Sequence, residues 1–173
     1  MRIKILSQKI LWVVIFAIAF GFVEAAVVVY LRHLLGATQP QMPQGEILFL
    51  VPGIAFFDPK TAVEIISDSA ILNVEMIREA ATLVILAAIA ALAGSNIRER
   101  ITYFFLAFGT WDIFYYVFLK LTIDWPKTLG DLDIFFLLPF PWIGPVFVPI
   151  VISSVLILSS AWFILNKGGK YGK

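Results

Sequence analysis

Three carboxylates stand in stretches that otherwise read as membrane helix: Glu24 in FVEAAVVVYL, Glu79 in IREAATLVIL and Asp112 in FGTWDIFYY. A carboxylate at the centre of such a helix costs about 2.5–3.5 kcal/mol on the insertion scale. Side chains of this kind hold a counter-charge, move a proton or bind a cation. Arg78 directly precedes Glu79 and Glu75 lies one turn earlier, so Glu75, Arg78 and Glu79 share roughly one helical face. Tyr115 and Tyr116 follow Asp112 at i+3 and i+4, and Trp111 and Trp142 add aromatic surface. Glu24, Glu75, Arg78, Glu79, Trp111, Asp112, Tyr115, Tyr116 and Trp142 are therefore the candidate binding residues. The residue types assign none of them a catalytic role, and they name no metal and no cofactor.

The elements that position these residues follow from composition. The chain has 173 residues, 61% hydrophobic and 14% charged, with a mean hydropathy of +0.94. Soluble domains are about 45–50% apolar and about 25% charged. The expectation is an all-α fold, a polytopic membrane four-helix bundle in a single domain over 1–173. A core of about 30 Å needs about 20 residues per crossing, and four segments qualify: 10–32, 72–94, 101–121 and 142–165. The first is too long for the apolar region of a cleaved signal and reads as a retained span. Placing Arg2, Lys4, Lys9, Arg98, Arg100, Lys167, Lys170 and Lys173 on the cytoplasmic side accounts for eight of thirteen basic residues and makes both termini cytoplasmic. Trp12, Tyr103 and Trp162 then fall at inner span ends, and Tyr30, Trp125 and Trp142 near outer ones.

Between the spans, 45–61 carries an apolar stretch too short to cross and broken by Pro52-Gly53, which predicts an interfacial or re-entrant hairpin. Residues 61–76 read as a polar helical approach to the second span, and 122–145 as a compact aromatic connection. Pro145 and Pro149 inside a fourth span would free the carbonyls of Pro141 and Pro145. Ala17, Gly21 and Ala25, and the alanines 80, 87, 88 and 91, offer small faces for close helix packing. Arg32, His33 and Lys120 read as interfacial residues outside the site, and Asp131 and Asp133 as loop acids.

Counting inward from the outer boundaries at 1.5 Å per residue puts Glu24, Glu79 and Asp112 all roughly 10–13 Å below the outer surface. EAAVVVYL and EAATLVIL match at five of eight positions, a similarity that composition bias alone also produces. The set F-x-E-A-A-V-V-x-Y-L-R, R-E-A-A-T-L-V, F-G-x-W-D-I-x-Y-Y and P-W-x-G-P-V resembles a family of small prokaryotic integral membrane proteins without an assigned activity. The resemblance implies a multi-pass protein of the prokaryotic cytoplasmic (inner) membrane and carries no residue roles.

The absence of cysteine excludes disulfides and thiolate chemistry. The single histidine, His33, argues against bis-histidine haem and His-rich metal sites. Nucleotide, zinc, Ser-His-Asp and paired E-x-x-H signatures are missing, and a net charge of +1 gives no reason to expect a nucleic-acid partner. Three readings stay open. One is an outward-facing site that binds or passes a cation or proton. Another is a membrane-embedded enzyme on a lipid or other hydrophobic substrate. The third is an accessory subunit of a membrane complex. Besides the lipid bilayer, a homo-oligomer or a larger complex is the partner to expect.

Overall fold

The computed structural model describes residues 2–36 and 43–169. Of the basic residues that orient the chain, Lys170 and Lys173 lie outside them, as do the side chains of Arg2, Lys4 and Lys167. The elements in order are α1 (Arg2–Leu34), β1 (Ile47–Val51), β2 (Ile54–Phe57), α2 (Thr61–Ile65), α3 (Ser69–Ala93), α4 (Ile97–Ile123), β3 (Leu132–Phe136), β4 (Trp142–Pro145) and α5 (Phe147–Gly169). Four helical stretches, Gln8–Leu34, Ser69–Ala93, Ile97–Ile123 and Phe147–Ile164, are long and apolar enough to cross a membrane. They match the first three expected spans and the fourth from residue 147 on, and the chain is mostly helical.

Sequence-local chemistry sets the helix ends. Asp68 caps α3, its carboxylate accepting from Ala70 N at 2.9 Å and Ile71 N at 3.0 Å. The turn into α4 is reciprocal: Asn96 Oδ1 accepts from Glu99 N, and Glu99 Oε2 accepts from Ser95 N at 2.8 Å. Asp124 closes α4 with φ 52°, left-handed, and its carboxylate meets Lys120 at 2.7 Å.

α4 is the hub, packed against α1, α3 and α5. Gly21 makes the α1 contact close, since a Cβ there would sit 2.9 Å from the Trp111 carbonyl oxygen and 3.2 Å from Tyr115 N. Ala17 and Ala25, fully buried, lie on the same face, so the small face of α1 serves packing within the chain. On α3 the buried stripe is Leu72, Glu75, Glu79, Thr82, Leu86 and Ala90, spaced three and four residues apart as a helix face requires. The alanines 80, 87, 88 and 91 are on its exposed side, so they are not the face on which α3 packs within the chain.

The connections from α1 to α3 and from α4 to α5 depart from an all-α fold. They form a four-stranded antiparallel sheet in the order β1-β2-β4-β3, placed where α1 and α4 finish and α3 and α5 begin. Pro52 and Gly53, the latter at φ 83°, make the first hairpin turn, the residue pair a type II turn favours. Ala55 pairs with Ile143 and Phe56 with Trp142, joining the two hairpins. Rings from both hairpins interlock, with Phe49 stacked on Phe56 at 4.2 Å and Phe56 edge-on to Trp142 at 5.1 Å. Residues 61–68 supply only the short α2 and three residues of irregular chain before α3.

The fourth helix also starts later than the sequence suggests. Residues 142–145 are strand, so Pro145 interrupts no helix and Pro149 falls in the first turn of α5, where a missing N–H breaks no bond. The Pro141 carbonyl accepts from Phe57 N at 3.0 Å. The expected freed carbonyls are therefore not a feature of this helix start. Trp12, Tyr30 and Trp162 are exposed, as residues of an aromatic girdle would be, whereas Tyr103 and Trp125 are buried and belong to the core.

Candidate functional site

A cavity of about 160 Å³ lies between α1, α3, α4, the start of α5 and the sheet. Eight of the nine candidate residues line it: Glu24, Arg78, Glu79, Trp111, Asp112, Tyr115, Tyr116 and Trp142. Glu75 does not. It borders a separate apolar cleft with Tyr30, Leu31 and Val74 and reaches the site only through Arg78.

Each carboxylate has its own fastening. Arg78 joins α3 to α1: its Nη1 donates to Glu24 Oε1, and its Nε donates to Glu75 Oε2 at 2.9 Å. Thr82, one turn along α3, donates to the second Glu24 oxygen at 3.2 Å. Glu79 faces the loop between β3 and β4 and accepts from Leu137 N at 2.9 Å and Leu138 N at 3.2 Å. That loop is thereby drawn down onto the helices, because two buried peptide N–H groups find their acceptor inside the bundle. On the other side of the cavity, Ser153 of α5 donates to Asp112 Oδ2 at 2.7 Å.

Sequence reasoning missed a further member. Asp133, read as a loop acid, is 3% exposed and lines the cavity from β3. Tyr116 Oη donates to its Oδ2 at 2.9 Å and Arg32 Nη2 to its Oδ1 at 3.3 Å. Burial pushes the Asp133 carboxyl up to about 6, against the pull of Arg32 and of the Tyr116 hydroxyl. Arg32 is accordingly not a free interfacial residue: its guanidinium lies 3.9 Å from the centre of the Trp125 ring. His33 and Lys120 stay exposed, the latter donating to the Pro126 carbonyl at 3.0 Å. Asp131 accepts from Lys127 N and Thr128 within its own turn, as a loop acid does.

The charge balance of this region is lopsided. Five buried acids, Glu24, Glu75, Glu79, Asp112 and Asp133, are met by two partly buried arginines, Arg32 and Arg78. Three negative charges are left for protons, peptide dipoles or a bound cation to answer. Below the cavity the bundle closes. Val13 and Ala17 of α1, Leu86 and Ala90 of α3, Tyr103, Leu106 and Ala107 of α4 and Ile164 of α5 form one apolar cluster drawn from all four long helices. Among the described residues, no three acidic or imidazole side chains come together as a metal site. Compared with protein families, curated proteins and solved structures, the chain matches none.

Proposed function

We propose that this protein binds a cation or a proton in an intramembrane site that opens towards the outer face of a prokaryotic inner membrane, with both termini cytoplasmic. The observation that carries the reading is the excess of carboxylates around one cavity: Glu24, Glu79, Asp112 and Asp133 line it with one arginine, Arg78. Opposite charge is the cheapest answer to that imbalance in a low-dielectric setting. Binding is favoured over passage, because beneath the cavity the four long helices close on a largely apolar cluster. A whole lipid does not fit a space of about 160 Å³, which weighs against the reading as an enzyme on an enclosed lipid.

The exposed edge strand β1, apolar along its whole length, supports a second reading as a subunit of a homo-oligomer or larger membrane complex. A single stable particle larger than one chain in mild detergent is its test. The cation reading is tested on purified protein by following thermal stability while pH, Na⁺, K⁺ and Mg²⁺ are varied separately. Stability that depends on one of them in the wild type, and on none in Asp112→Asn and Glu24→Gln, is the expected result. Equal dependence in all three proteins refutes the assignment.

A further inference from the structure

We infer that the cavity takes a small organic ammonium of about six non-hydrogen atoms, its nitrogen at Asp112 and its carbon groups against the rings of Trp111, Tyr115 and Trp142. This rests on the cation reading and narrows it.

Size comes first. A cavity of about 150 Å³ in a protein core holds benzene, and this one is about 160 Å³. An amine of similar bulk fits, and an acyl chain does not.

The free acceptors decide the kind of cation. Both oxygens of Glu24, Glu79 and Asp133 already accept hydrogen bonds. Asp112 is different: Ser153 takes Oδ2, and Oδ1 has no partner among the described residues. A hard metal ion needs several oxygens at once, whereas an alkylammonium needs one counter-charge and aromatic faces. The wall carries aromatic side chains from two sides, Trp111 and Tyr115 from α4 and Trp142 from β4.

A third observation refines the ligand. Trp111 is 5% exposed and lines the cavity, and its buried indole N–H has no partner among the described residues. A buried donor of this kind asks for an acceptor. A ligand that carries a hydroxyl oxygen near its ammonium group meets both demands.

The test uses the intact protein in detergent and tryptophan fluorescence as the readout. The probes are choline, tetramethylammonium, K⁺ and the uncharged choline analogue 3,3-dimethyl-1-butanol. Choline is expected to bind at least tenfold more tightly than the uncharged analogue and more tightly than tetramethylammonium. Asp112→Asn should weaken choline tenfold or more, and Trp142→Leu several-fold. Should Asp112→Asn not fold, the analogue comparison and Trp142→Leu decide. Equal binding of choline and its uncharged analogue overturns the inference, as does choline binding that survives Asp112→Asn. Asp112-dependent effects of K⁺ or pH with no choline binding overturn the inference and leave the cation reading standing. No response to choline, K⁺, Na⁺, Mg²⁺ or pH removes both.

Discussion

Replacing Arg78 by methionine tests the electrostatics of the site most directly. The change keeps the side chain's apolar stem and removes the charge that Glu24 and Glu75 share. Breaking a buried ion pair by deleting one partner costs about 3–5 kcal/mol. An escape route caps the loss, because a stranded glutamate can take up a proton. From an ordinary glutamate value of about 4.3, that uptake costs about 3.7 kcal/mol at pH 7 and about 1 kcal/mol at pH 5. The expected destabilisation is therefore about 3 kcal/mol or more at pH 7 and roughly 1 kcal/mol at pH 5. Adding Glu24→Gln to Arg78→Met removes the stranded charge in advance and should restore about 1.5 kcal/mol or more at pH 7. Unfolding by titration with SDS, run as a double-mutant cycle at both pH values, measures all of these terms. An equal loss at both pH values, with no recovery in the double variant, would show that Arg78 acts through packing and refute the charge argument.

Two other outcomes follow from the geometry. The Asp133 carboxyl is raised from 3.8 to about 6, so the folded state takes up its proton before the unfolded state does. Its contribution is complete below about pH 4 and declines as pH rises to about 6, by up to about 3 kcal/mol. Asp133→Asn should flatten that segment of the stability–pH curve, and an unchanged slope refutes the assignment. Gly21→Val should destabilise by about 1–3 kcal/mol and Gly21→Ala by less, since the added carbon meets α4 backbone at Trp111 and Tyr115. Full stability of Gly21→Val in the same SDS titration would mean that α1 and α4 are not in such close contact.

The helices and three of the four acids that line the cavity are legible in the sequence for one reason. A charge inside a long apolar run has few permissible surroundings, so Glu24, Glu79 and Asp112 announce themselves. The strands give no such signal. Val51 and Phe56 sit in short runs that are apolar on both faces, and in the run of Phe136 a single acid, Asp133, stands among apolar residues, so the period-two alternation that marks a half-buried strand is missing. Proline at 145 and 149 reads as a helix break until the helix is known to start at Phe147. Asp133 hides among the polar neighbours Lys127, Thr128 and Asp131, and its defining partner, Arg32, is 101 positions away. A local hint exists, because Asp133 is flanked by Leu132 and Ile134 and is followed by two phenylalanines. Only the ion pair makes it part of the site.

The bond between Glu24 and Arg78 spans 54 positions of chain, and this separation bears on how the protein is made. During synthesis the first helix emerges with its acid well before the arginine exists. Its carboxylate must then wait, protonated or at the water boundary, until the following helix arrives. The ion pair between the two helices can close only after α3 has been made.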